Sequence, residues 1–364
     1  MKSYTRKAVR VVTVTAAATV LIATFGAPIR HLLAAPRSSG QAAGPSGYKL
    51  EKRAALGGDG AWDYLEVDPG THHVFITRGN HVMVVDPEQG KVIGDVPNTP
   101  FVHGIAISGD LKRGFTTNGT ATAVTIFDTN TLEKVGEAKT GKEPDAILYD
   151  PSSKRAFSMN REGTTTAIDA TTGKVDGTVK LGGGPEFGVA DGKGHIFINL
   201  EDKSAVVEID SKALTLEHTW PLAPCEGPSG LAIDAAHNRL VVGCHNKMMA
   251  FVDSTNGKVV GTVPIGQGVD ANRFDPGTGF AFASCGDGTL TIAHEDSPDK
   301  FTPVEVIKTE QGARTMAVDY ETHAVYLVTA KFGPRAAGEG DGHADPRGGP
   351  KVLPGSFTLL VYKR

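Results

Sequence analysis

Cysteine is scarce: three residues in 364, at positions 225, 244 and 285, with no C-x-x-C pair. That excludes a zinc-ribbon or ferredoxin-type ligand set, because both need closely paired thiolates. There is also no C-x-x-C-H for covalent haem attachment. Tryptophan is rarer still, with only Trp62 and Trp220, so no Trp-based docking motif recurs along the chain. Haem and quinone redox classes lose their sequence support on these grounds.

Acidic residues are missing from the first 45 positions, while Lys2, Arg6, Lys7, Arg10, Arg30 and Arg37 all lie there. Four of those cations precede the uncharged run VVTVTAAATVLIATFGAP. A basic start followed by an apolar stretch is the pattern of an export signal. The run's length lies between a cleaved signal and a membrane span, so an uncleaved anchor stays open. SSGQAAGPSG then reads as linker. Residues 1–45 are therefore expected to be signal or signal anchor plus linker, and 46–364 the folded domain. The location that follows is periplasmic or extracellular, with membrane contact only through an uncleaved segment.

The folded part is short of positive charge. Six of the 37 basic and none of the 41 acidic residues fall in the leader, which leaves 31 against 41 and a net charge of −10. Nucleic acid is thus a poor partner, since non-specific binding depends on Lys and Arg displacing counterions.

What is abundant is glycine, 45 residues, with many Thr and Val, as expected for short strands and tight turns. These residues repeat. Seven segments align on an anchor residue: Asp63, His103, Asp145, Glu186, Ser229, Asp270 and Arg314, spaced by 40, 42, 41, 43, 41 and 44. Each segment carries four strand signals separated by turn residues. A repeat of about 40 residues with four strands is a propeller blade. Asp86, Asp128, Asp169, Asp210 and Asp253 close third strands ahead of turns such as TTGKV and STNGKV, and read as Asx-turn formers. The seventh unit lacks a fourth strand before the chain stops at Arg364. YKLEKRAALGG (48–58) has the register of that strand. The expectation is an all-β, seven-bladed β-propeller of four-stranded blades, monomeric, its ring closed by an N-terminal strand that completes the last blade.

Blade stretches such as IFINLEDKSAVVEID, GLAIDAAHNRLVVGCHNKMMAFVDSTNGKVVGTVPIGQGVDA and FASCGDGTLTIAHEDSPDKF resemble the YVTN-repeat, YncE-like β-propellers of bacterial envelopes over roughly 48–364. The YVTN tetrapeptide itself is replaced by ITRG, SMNR, INLE, VGCH and LVTA. The resemblance implies an exported propeller. One branch of such propellers is associated with single-stranded DNA, which the acidic balance here argues against.

The anchors begin the innermost strands, so their side chains should ring one mouth of the central channel. Four carboxylates, one imidazole and one guanidinium would converge there. The ligand-binding set expected is Asp63, His103, Asp145, Glu186, Asp270 and Arg314, with Ser229 completing the ring and His245 at the rim. Deeper along the inner strand Ala106, Ala232 and Ala317 are small, but Glu66 and Arg273 are not, and a buried charge needs a partner. These two are expected to interact with each other or with other channel polar groups, as a channel ion pair or as a ligand clamp that joins the ligand-binding set. No cofactor is required by the sequence. A divalent cation would be held by Asp145 and Asp270. The function expected is a non-catalytic exported propeller that binds a small ligand, a cation or an envelope protein at this face. The competing reading is a lactonase-like hydrolase, with Glu186, His103 and Arg314 as the candidates for an acid/base pair and an oxyanion-stabilising cation and Asp145 as a metal ligand.

The segment KFGPRAAGEGDGHADPRGGPKVLPGS, 331–356, sits between second and third strands of the seventh blade. It opens on the same face, as a lid or a disordered loop, carrying His343 and Arg347. Cys225 and Cys244 lie in the entry loop and second strand of one blade. They are expected to form a disulfide, leaving Cys285 as a free thiol. A soft-metal cluster of Cys225, Cys244, His245 and Cys285 is the alternative. A nucleophilic Cys244–His245 pair is disfavoured, because strand neighbours point to opposite faces.

Overall fold

The computed structural model describes residues 46–58, 60–333 and 352–364. The expected leader 1–45 and the lid residues His343 and Arg347 lie outside them.

Seven four-stranded antiparallel sheets follow one another around a ring. Blades 1 to 6 span 65–96, 102–139, 144–180, 185–221, 228–264 and 269–308. In blade 7 the strands Met316–Val318, Val325–Thr329 and Thr358–Lys363 are joined at the outer edge by Lys49–Ala55. The N-terminal strand therefore closes the ring, with Lys49 opposite Lys363 and Ala55 opposite Thr358. All-β, seven-bladed architecture is what the 40-residue repeat dictates.

Burial follows from each strand's depth in its blade. Middle strands such as Phe280–Cys285 are buried at every position, because neighbouring blades cover both faces. Outer strands such as Lys134–Lys139 show Lys and Glu to solvent and bury a single residue, which discourages edge pairing with another chain. The third-strand aspartates cap the turns that follow. Asp128 accepts the N–H of Asn130 and Thr131, and Asp169 accepts those of Thr171 and Thr172.

Neighbouring blades are also tied by polar side chains that reach the next inner strand. Thr117 donates to the carbonyl of Asp145, Ser284 to that of Arg314, and Asn199 Nδ2 to that of Ser229 at 2.9 Å. Each of these bonds fixes the backbone at an anchor position.

Cys225 and Cys244 are disulfide-bonded, which fastens the entry loop of blade 5 to its second strand. Cys285 is free and buried, and burial pushes its thiol up to about 12. The alternative thiolate metal cluster is not formed, since two of its three thiols are consumed by the bridge.

Candidate functional site at the channel mouth

The anchor residues do converge. Asp63, His103, Asp145, Glu186, Ser229, Asp270 and Arg314 all line one chamber of about 590 Å³ at the channel mouth. Arg161, Glu201 and His245 line it too. These three are the first residues of the second-to-third-strand turns of blades 3, 4 and 5. They form an outer tier above the anchors.

The floor is aromatic. Tyr64 and Phe187, each one residue after an anchor, stack across the axis with ring centroids 4.8 Å apart. Below them the Arg273 guanidinium lies 5.1 Å from the Phe187 ring centre and 3.9 Å from the Glu66 carboxylate. Glu66 and Arg273 thus meet as expected and belong to the plug beneath the chamber. Burial raises the proton affinity of Glu66, and the Arg273 charge opposes that.

Most of the polar groups form one network, with His245 and Glu201 as a separate pair. His103 Nδ1 is 2.8 Å from Asp63 and 3.5 Å from Asp145. Arg161 grips Asp145 with Nε at 2.8 Å and a terminal nitrogen at 2.7 Å. Arg314 donates to Asp270 at 2.7 Å and lies 3.8 Å from Asp63. His245 Nδ1 is 3.2 Å from Glu201. Asp145 and Asp270, the expected cation ligands, are therefore each engaged by an arginine. The three groups near enough to share an ion are Asp63, His103 and Asp145, and two arginines already neutralise their carboxylates.

Burial disfavours the charged form of His103, but its hydrogen bond to Asp63 and the charges of Asp145 and Asp63 outweigh that and raise its pKa. Burial likewise pushes the Asp63 carboxyl up, yet the His103 bond and the charges of Arg314, His103 and Arg161 bring it below the usual range. Glu186 goes the other way. Burial, followed by Asp145, Glu201 and Asp270, drives its pKa well above an ordinary carboxyl, with Arg161 too weak to reverse it. Among the described residues no side chain makes a hydrogen bond or ion pair with Glu186.

The repeat phase located the anchors and His245. It missed Arg161 and Glu201, although the same alignment places them at His245's position. It also missed the Tyr64–Phe187 floor. That position is otherwise Gly104, Ala146, Gly230, Ala271 and Thr315, so two large rings among seven were the available signal.

No family model matches the chain, and no curated protein matches it. Solved structures match by shape. A chain of the hydrazine synthase of Kuenenia stuttgartiensis aligns with TM-score 0.62 at 15% identity, covering 72% of this chain and 91% of that one. A chain of the mitotic checkpoint complex aligns with TM-score 0.68 at 16% identity over 93% and 99%. The WD40 repeats of RRP9 align with TM-score 0.71 at 10% identity over 89% and 99%. At these identities the likeness is one of fold.

Proposed function

We propose that the chain is an exported, non-catalytic propeller of the YncE-like type that captures a small amine-bearing organic cation in the channel-mouth chamber. The observation that carries this is the chamber itself. Six carboxylates (Asp63, Asp145, Glu186, Glu201, Asp202, Asp270) face two arginines over a stacked aromatic floor. An acid-rich cleft concentrates cations, and an aromatic face adds cation–π attraction. Glu186 is the carboxylate left without a partner, so it is the counter-ion assigned to the ligand's ammonium. Its raised pKa means it must lose a proton to play that part. Affinity should therefore climb as pH rises through the Glu186 value, with a proton released on binding.

The lactonase-like hydrolase draws less support. Its base, His103, is held between two carboxylates that favour the protonated ring. Its oxyanion group, Arg314, is already occupied by Asp270 and Asp63. Binding of an envelope protein at the same face is compatible with the chamber, and propellers commonly serve as docking scaffolds.

The test is a panel of amines, neutral sugars, lactones and divalent cations, read by melting temperature and by Trp62 fluorescence in a Trp220→Phe background. Trp62 lines the chamber, whereas Trp220 sits on the outer strand of blade 4. Expected are responses to amines that weaken about tenfold or more in Glu186→Gln, the scale of a lost charge-assisted contact. Responses confined to neutral sugars would overturn the ligand class, and turnover of a lactone would favour the hydrolase.

A further inference from the structure

A second cluster lies away from the mouth, where a turn of blade 5 meets a hairpin of blade 6. The third and fourth strands of blade 6, Thr289–Ser297 and Lys300–Lys308, are nine residues each, three longer than the corresponding strands of blade 5, Met248–Asp253 and Val259–Pro264. Their extension leans on blade 5. Phe301 stacks on Phe251 with centroids 3.6 Å apart, and Arg239 donates to the carbonyl of Pro298 at 2.7 Å and to the Asp299 carboxylate at 2.6 Å.

Beneath this contact, Asp234 ends the first strand of blade 5, His237 follows in its turn, and Glu295 comes from the hairpin. The two carboxylates are deeply buried, with side chains 3% and 5% exposed, while the imidazole is half-exposed and closes the opening. His237 Nδ1 is 2.6 Å from Asp234 Oδ2 and 3.2 Å from Glu295 Oε1. The first contact occupies that nitrogen. Glu295 Oε1 is left fully buried, inside the cluster, accepting no hydrogen bond. Two carboxylates are thus crowded around one imidazole in a buried place, and burial together with the neighbouring Asp234 carboxylate raises the Glu295 carboxyl to about 7. The nearby guanidinium of Arg239 does not relieve it, being directed at Asp299, Asp253 and three backbone carbonyls. A buried carboxylate oxygen left without a hydrogen bond is costly.

We propose that Asp234, His237 and Glu295 bind a divalent transition-metal ion of the zinc class, which fastens the extended hairpin of blade 6 to the turn of blade 5. One imidazole nitrogen and two carboxylate oxygens are three protein ligands of a four-coordinate site, with water for the fourth. Calcium calls for six to eight oxygens, and copper(I) for thiolate or thioether, so neither suits this donor set. The ligand atoms all lie within 4.8 Å of one another. Tetrahedral zinc with bonds of about 2.0–2.1 Å sets its ligand atoms roughly 3.3 Å apart, so modest side-chain rotation suffices. Among the described residues, two other trios lack the decisive feature. In the chamber the carboxylates of Asp63 and Asp145 are taken by arginines, and in the group of His195, Glu208 and Glu217 the Glu208 carboxylate is taken by His218 at 2.8 Å. Neither has a buried carboxylate oxygen without a partner.

The experiment uses the full chain, stripped with a chelator and titrated with Co²⁺, then with Zn²⁺ in competition. Expected is one equivalent of Co²⁺ with the intense visible bands of a four-coordinate site, displaced by Zn²⁺. His237→Asn and Glu295→Gln should each weaken binding about tenfold or more, while His103→Asn in the chamber leaves it unchanged. Zn²⁺ should raise the melting temperature of the wild type and not of His237→Asn. His237 is half-exposed, so that variant keeps the test open if Glu295→Gln misfolds. No tight equivalent, binding that survives His237→Asn, or loss of binding in His103→Asn would each overturn the proposal.

Discussion

Gly104 shows how much of the chamber rests on single residues. A Cβ there would lie 2.5 Å from the carbonyl oxygen of Asp145 and 2.9 Å from the amide of Ile147. Only glycine lets the inner strands of blades 2 and 3 come close enough for His103 to sit between Asp63 and Asp145. That placement has a pH signature. His103 is raised, so its contribution to stability is complete below the unfolded histidine value and fades as pH rises through the folded one. Asp63 is lowered, so its contribution is complete above the unfolded carboxyl value and fades as pH falls through the folded one. Both are in full force between about pH 4 and pH 6.5. Urea unfolding of wild type and His103→Gln should differ most in that window and converge on both sides. A difference independent of pH would mean that His103 acts by packing alone. The ring of anchors was legible because polar residues recurred in phase. Their ion pairs were not, because the repeat says which face a residue takes but not how far an arginine such as Arg161 reaches around the axis.

At the scale of elements, the chain passes from the outer strand of blade 7 to the inner strand of blade 1 through a glycine-rich turn whose backbone carbonyls need partners. Arg78 supplies them. Its side chain is fully buried, with the guanidinium 3.6 Å from the Phe357 ring centre. It donates to the carbonyls of Ala61 and Gly60 at 3.2 Å each and of Gly57 at 3.5 Å. Blade 1 thereby holds both the connection and blade 7. Truncation would strand several buried carbonyls, each costing about 1–3 kcal/mol. Arg78→Ala should therefore lower unfolding free energy by about 3 kcal/mol or more in guanidinium titrations, and Arg78→Lys should recover only part, lacking the planar fork. An Arg78→Ala change within 0.5 kcal/mol of wild type, the usual range of surface substitutions, would remove this clamp from the account. In the sequence Arg78 is one residue of ITRG, at a position that is Asn160, Leu200 or Cys244 in other blades. Nothing in that pattern marks a buried cation. The long hairpin of blade 6 was hidden for a similar reason, since HEDSPDKF reads as ordinary turn chemistry until the neighbouring blade is in place.

For the molecule as a whole, closure is the step on which the rest depends, and it was readable from a strand count. Seven blades of four strands need twenty-eight, the seventh unit had three, and KLEKRAA had the missing register. The closing strand does more than pair with its neighbour. Ser46 donates from both N–H and Oγ to Glu305 of blade 6, at 3.0 and 2.6 Å, and Arg364 Nε donates to the Ser46 carbonyl at 3.1 Å. Tyr48 packs edge-on against Phe282 with centroids 5.5 Å apart. The strand thus ties blades 6 and 7 together, and without it the third strand of blade 7 becomes an open edge. Deleting 46–58 should cost cooperative folding, seen as a broadened melt and dye binding to exposed apolar surface. Because Ser46 and Arg364 already touch, the same strand can be supplied from the other end. A permutant that starts at Gly60 and carries 46–58 after Arg364 through a short turn keeps every pairing of blade 7. Its melting temperature should stay close to that of a 46–364 chain, whereas the deletion falls well below it. If permutant and deletion melted alike, strand identity would not be what closes the ring. The order of synthesis, with the first strand waiting for the last, would then be part of how this propeller folds.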